Sequence, residues 1–176
     1  MSRGLLCWGE RMGAPDENSL EVIVGRLLEE GGTTLAVSES CTGGLVGHRL
    51  TNVPGSSAYY QGSITAYSNK VKELTLGVRP ETIYQHGAVS ESTAREMARG
   101  VRRVFRADVG LSVTGIAGPD GGMPGKPVGL VYIALSAPDN EWVERHVWDG
   151  DRWENKERSA EAVLDLLRRY LERRLR

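Results

Sequence analysis

The stretch Leu35-Ala36-Val37-Ser38-Glu39-Ser40-Cys41-Thr42-Gly43-Gly44 limits the possible folds more than any other part of the chain. An apolar, β-prone run stops abruptly in small hydroxyl and glycine residues, and a helix-like segment from Leu45 to Leu50 follows at once. A strand that gives way to a helix sets side chains and helix-terminal N–H groups at one edge of a sheet. Such an edge can hold an anion and present a nucleophile together. Ser40 and Cys41 are the two candidate nucleophiles at this junction, and local reasoning does not choose between them.

The same alternation continues along the chain. Apolar positions Leu20, Ile23, Val24, Leu27 and Leu28 repeat at helical spacing over residues 19–30, with Gly31-Gly32 as a stop. Strand signals fall at 34–38, 58–67, 108–114, 128–137 and 141–148. Helical patterns fall at 43–52, 69–76, 80–85, 91–106 and 153–171. Ser90 is well suited to cap the helix over 91–106. The run 128–137 is nearly all apolar, which predicts a strand covered on both faces, whereas 141–148 alternates like a strand nearer an edge. These elements predict an α/β fold, a three-layer α/β/α domain with a mixed sheet, whose later strands pair antiparallel around Pro138-Asp139-Asn140. Residues 19–176 are expected to form one domain, and residues 1–18 a loosely ordered extension.

Composition narrows the function classes. A net charge of −1 offers no field for nucleic acid or an acidic membrane, and the basic end from Arg168 to Arg176 reads as a solvated helix terminus. Two cysteines, Cys7 and Cys41, make no disulfide framework, so a reduced, cytoplasmic setting is expected. No apolar run reaches membrane-spanning length, and residues 1–12 are too short and polar for a signal peptide.

Several familiar sites can be set aside. Gly125-Lys126 is no Walker loop, because Asp120 stands where glycine is required and Pro127 where serine or threonine is required. The spacing of Gly115 and Gly118 does not fit a dinucleotide fingerprint. His48, His86 and His146 form no ligand pattern, and Cys41 has no nearby cysteine, so no metal site is expected. A nucleophile elbow is absent at Ser40. The segment Tyr67-Ser68-Asn69-Lys70-Val71-Lys72 lies at a second strand-to-helix junction. Two lysines two residues apart cannot share a helix face, so one can point inward while the other is solvated. A confined lysine loses proton affinity and can serve as a base.

Taken together, five ordered blocks carry a family resemblance. Ser38-Glu39-Ser40-Cys41-Thr42-Gly43-Gly44, Pro54-Gly55-Ser56-Ser57, Tyr67-Ser68-Asn69 with Lys72, His86-Gly87-Ala88-Val89-Ser90, and Thr114 to Gly122 with Lys126-Pro127-Val128-Gly129 resemble the CinA C-terminal domain family. The resemblance covers residues 19–172. That family includes nicotinamide-nucleotide amidases of pyridine-nucleotide salvage, so the resemblance implies hydrolysis of the carboxamide of nicotinamide mononucleotide (NMN), without a cofactor or metal. It further implies Ser40 as nucleophile, Lys72 as its base and Tyr67 as a catalytic residue close by, with the proton reaching ammonia from Lys72 directly or through Tyr67. Thr42, Gly43, Gly44, Thr114, Gly115, Gly118 and Arg152 are the implied substrate-binding residues, with the Gly43 and Gly44 amides holding either an oxyanion or the phosphate. Gly150-Asp151-Arg152 resembles a family element in which an arginine usually follows four residues later; here that position is Lys156, and Asn155 replaces an apolar residue. A homo-oligomer is also implied, with Trp142, Trp148 and Trp153 as possible interface residues. A non-catalytic nucleotide-binding or regulatory module is the rival expectation; it would tolerate loss of Lys72.

Overall fold

The computed structural model describes residues 15–174, so most of the expected extension over 1–18, Cys7 included, lies outside the described residues. In chain order the elements are α1 (Leu20–Glu30), β1 (Leu35–Glu39), α2 (Leu45–Thr51), β2 (Tyr60–Thr65), α3 (Asn69–Leu76), α4 (Pro80–His86), α5 (Glu91–Phe105), β3 (Val109–Gly115), β4 (Leu130–Ser136), β5 (Glu141–Val147) and α6 (Arg152–Arg174). The strands form one sheet in the order β2-β1-β3-β4-β5. β1 runs parallel to β2 and β3, while β3–β4 and β4–β5 are antiparallel. The sheet is therefore mixed, as expected, and β4 is interior while β5 is an edge strand.

Alternation along the strands sorts side chains between two helical layers. Leu35 and Val37 of β1, with Val109, Leu111 and Val113 of β3, pack under α1, α2 and α6 against Val24, Leu28, Val46, Val163 and Leu167. The opposite positions face α3 and α5. There Ala36 packs with Leu76, Met97 and Val101, and Ala134 packs with Ala94 and Ala98. The β3–α5 contact is close enough to require small residues. Ser112 Oγ donates to the Ala94 carbonyl at 2.7 Å, and a Cβ on Gly110 would come within 2.7 Å of the Arg102 Cβ.

The same alternation fixes what stands at the end of β1. Glu39 falls on the α2 side and Ser40 on the α3 side. Both residues sit where β1, flanked by β2 and β3, sends the chain out over the carboxyl ends of parallel strands, the usual place for a ligand crevice.

Candidate active site

The α2 helix begins at Leu45 after an N-cap glycine, Gly44, whose φ of 101° suits glycine and which has no side chain to cap the helix. Glu39, fully buried, supplies the cap from the strand. Its Oε2 accepts from the Gly44 and Val46 N–H groups at 3.0 and 3.1 Å, and its Oε1 accepts from Gly47 at 2.9 Å. The Gly43 N–H donates to the Ser40 carbonyl at 3.2 Å. The helix N-terminus is thus already occupied by a carboxylate of the protein.

Ser68 caps α3 by accepting from the Val71 N–H at 3.2 Å, and Gly77, at φ 69°, ends it. Lys70 is exposed, whereas Lys72 is 2% exposed. Two residues on a helix are separated by about 200°, so one lysine faces water when the other faces the sheet. Lys72 Nζ lies 3.1 Å from Ser40 Oγ and donates to the Ala66 carbonyl at 2.7 Å. Burial pulls the Lys72 ammonium below the ordinary lysine range, favouring the neutral amine. Among the described residues no carboxylate forms an ion pair with it.

Ser40 and Lys72 share a cavity of about 280 Å³ with Cys41, Tyr67, Asn69, Thr114 and the loop from Gly115 to Gly121. Cys41 is 6% exposed and belongs to the apolar core, and burial pushes its thiol up to about 12. The sulfur is therefore a neutral thiol at physiological pH, a poor nucleophile beside a serine that has an amine partner.

The glycine loop is held from two sides. Thr114 Oγ1 donates to the Ala88 carbonyl at 2.8 Å. Lys126 Nζ donates to the His86 and Val89 carbonyls at 2.5 and 2.8 Å, which tethers the loop to the segment between α4 and α5. From the start of α6, Arg152 Nη1 donates to the Gly118 carbonyl at 2.6 Å and Arg152 Nη2 to Tyr67 Oη at 3.2 Å. Asn155, 1% exposed, donates to the neighbouring Ala117 carbonyl at 3.0 Å.

Of the residues expected at the site, Ser40, Lys72, Tyr67, Thr114, Gly115, Gly118 and Arg152 line one cavity. Thr42, Gly43 and Gly44 do not line it, because the turn into α2 folds back over Glu39. Tyr67 contacts Arg152, and among the described residues no hydrogen bond joins its hydroxyl to Ser40 or Lys72. Lys156 stands beside Gly43 and Trp153, 5.5 Å from the indole centroid, rather than on the Ser40 cavity wall. Glu39 and Asn155 are site residues that the sequence reading gave no role. An acid at the end of an apolar strand run, directly before Ser40 in a motif that also carries helix-starting glycines, is the signal that points to Glu39. Among the described residues no cluster of three or more His, Cys, Asp or Glu side chains could hold a metal ion, and no helix is long and apolar enough to cross a membrane.

The fold and cavity define a three-layer α/β domain with a buried serine–lysine pair at the sheet's switch point. Residues 17–171 match the family model described as CinA C-terminal domain, and the chain belongs to that family. A CinA-like protein of Desulfotalea psychrophila is 48% identical over 163 residues, covering 93% of this chain. The chain spans about 40% of the length of that and other curated relatives it matches. Among solved structures, a CinA superfamily protein from Klebsiella pneumoniae superposes with a TM-score of 0.85 at 31% identity, covering 88% of this chain and 96% of that one. The competence/damage inducible protein CihA from Agrobacterium tumefaciens gives 0.84 at 36% identity, covering 92% and 99%.

Proposed function

We propose that the chain is a nicotinamide-nucleotide amidase, hydrolysing the carboxamide of NMN to nicotinate mononucleotide and ammonia through a serine–lysine acyl-enzyme. The observation that carries this reading is the 3.1 Å approach of Lys72 Nζ to Ser40 Oγ, both buried, at the wall of the cavity. The choice of NMN comes from the family resemblance of the sequence blocks.

A primary amide is a weak electrophile and ammonia a poor leaving group, so hydrolysis gains from division into two steps. Neutral Lys72 accepts the Ser40 hydroxyl proton as Oγ adds to the amide carbon. The resulting ammonium then gives a proton to the substrate nitrogen as the C–N bond breaks and ammonia leaves. Water next attacks the ester, Lys72 again taking its proton, and Ser40 Oγ leaves with that proton restored. Burial suits Lys72 for both halves, because it weakens the proton's hold without removing the donor capacity. The Ala66 carbonyl orients Nζ by occupying one of its N–H donors. Tyr67 and Arg152 form part of the substrate-binding wall; because the Tyr67 hydroxyl is bonded to Arg152 rather than, among the described residues, to Ser40 or Lys72, the direct transfer from Lys72 is the route taken here, in place of the expected relay through Tyr67.

The test is ammonia release from NMN, compared with nicotinamide, nicotinamide riboside and NAD under the same conditions. The reading requires NMN to be turned over in preference to the other three. NMN binding without turnover would instead identify a non-catalytic module.

A further inference from the structure

The end of the sheet opposite Ser40 carries a concentration of charge that the proposed reaction does not use. Thr114 and Gly115, at the end of β3, line the Ser40 cavity, as do Ala88 and Val89 just ahead of α5. At the other end, where α5 stops and β3 starts, a second hollow of about 470 Å³ is lined by Arg99, Arg102, Arg103 and Arg106, with Glu141 the one carboxylate on its wall among the described residues. The length of β3, about 20 Å, separates the two sites.

Four guanidiniums thus meet one carboxylate, in a chain whose net charge is −1. That carboxylate is taken up by Arg99: Nε donates to Glu141 Oε1 at 2.5 Å and Nη2 to Oε2 at 2.6 Å. Backbone carbonyls orient the next two guanidiniums without neutralising them. Arg102 Nε donates to the Asp108 carbonyl at 3.0 Å, and Arg103 Nη2 to the Leu76 carbonyl at 3.0 Å. The other acids nearby in sequence are engaged elsewhere, Glu91 with Arg95, Glu96 with Arg79, and Asp108 Oδ2 with Thr34. The C-terminus of α5 offsets about half an elementary charge, against three cations that have no carboxylate partner among the described residues.

Arg106 is the least expected of the four. It closes α5 at φ 53° and ψ 36°, and among the described residues it is the only residue other than glycine with positive φ. Glycine is the usual choice there, because a Cβ strains the left-handed conformation. The Arg106 guanidinium makes no hydrogen bond or ion pair among the described residues. The chain therefore keeps a cation, at a backbone cost, where the helix end favours glycine and no neighbouring group calls for charge.

We propose that this hollow binds a polyphosphate chain, gripped by Arg102, Arg103 and Arg106. Three surplus cations match the charge of a triphosphate, and guanidinium forks meet phosphate oxygens two at a time. The volume is that of a small-molecule site. The site lies across the sheet from the Ser40 cavity and does not depend on the amidase reading.

Calorimetric titration of sodium triphosphate into the wild-type protein, at about 0.15 M salt and without divalent cations, tests it. Saturable binding of one ion per chain is expected, with orthophosphate at least about 10-fold weaker because it reaches fewer guanidiniums. Arg106→Gly should weaken triphosphate binding by about 10-fold or more, the usual effect of losing a bond between charged groups. The same change should raise the thermal midpoint of the ligand-free protein by about 2–4 °C, since it relieves the left-handed strain. Arg106→Gln, which keeps a long side chain and loses the charge, should bind as weakly as Arg106→Gly. Arg152→Ala should bind triphosphate like the wild type. A wild type that does not bind, or unchanged affinity in both Arg106 variants, overturns the proposal. So does a loss of binding in Arg152→Ala alone, which would put the anion in the Ser40 cavity. Adenosine triphosphate in the same titration distinguishes the source: equal affinity shows that the phosphate chain alone is recognised, and tighter binding that a nucleotide is.

Discussion

Lys72 Nζ stands 3.1 Å from Ser40 Oγ, and the only other bond it makes among the described residues is to the Ala66 carbonyl. A lysine in that position has no carboxylate to hold its charge, and burial alone sets the direction of its proton affinity. The arrangement favours a base over a fixed cation.

The sign of the resulting pH dependence is definite. With the folded-state affinity held below the ordinary lysine value, the folded protein binds fewer protons than the unfolded chain between the two values. Stability contributed by this site therefore rises with pH through that window, and below it the burial cost of the ammonium is felt in full. Turnover should rise on its acid limb as Lys72 loses its proton. Lys72→Met should abolish turnover yet raise stability at neutral pH, by about 1 kcal/mol or more. Chemical denaturation at several pH values checks this; an equal loss of stability at every pH would contradict it.

Cys41 is expected to be a bystander in the chemistry. Its thiol, pushed up to about 12, carries almost no thiolate at neutral pH. Cys41→Ser should keep turnover within several-fold of wild type while lowering stability by about 1 kcal/mol, because a hydroxyl replaces a core sulfur. Iodoacetamide at neutral pH should leave the activity intact over the time needed to label an exposed thiol.

Glu39 should behave as a cap that supports the nucleophile from the far side of the strand. Glu39→Ala strips an acceptor from the Gly44, Val46 and Gly47 amides at once. A loss of roughly 2–4 kcal/mol is expected, combining a missing helix cap with buried donors left unpaired. Urea denaturation measures it, and a loss under 1 kcal/mol would show that water or a neighbour replaces the carboxylate.

Gly110 tests the packing that sets β3, and with it Thr114 and Gly115, against α5. Its backbone has no need of glycine's torsional freedom, yet an added Cβ would collide with the Ala98 carbonyl and approach Arg102 Cβ to 2.7 Å. Gly110→Ala should destabilise the protein by roughly 1–3 kcal/mol through overpacking, seen as a lower thermal midpoint.

Much of this organisation is legible in the residues themselves because it rests on short periodicities. The apolar run through β4 predicts an interior strand, and the alternation in β5 predicts an edge. The two-residue offset of Lys70 and Lys72 predicts one lysine inside and one outside, as observed. Helix ends are less legible: residues 43 and 44 look like the start of α2, but both glycines have positive φ and the helix begins at Leu45. The partners of polar groups are the least legible. That the Gly44 amide meets Glu39 depends on the turn between β1 and α2 folding back on the strand. That Arg152 meets Tyr67 and Gly118, and Asn155 meets Ala117, depends on the sheet bringing distant segments together. No local pattern encodes contacts across that separation.

Ser40 Oγ is the atom that the proposed reaction acylates. The most direct measurement is mass spectrometry of the protein quenched during steady-state turnover of NMN, with the Ser40-containing peptide sequenced. A nicotinate-mononucleotide ester on Ser40, absent in Ser40→Ala together with a loss of ammonia release of roughly 10³-fold or more, is the predicted result. Undiminished ammonia release by Ser40→Ala, or an adduct on Cys41 instead, would contradict it.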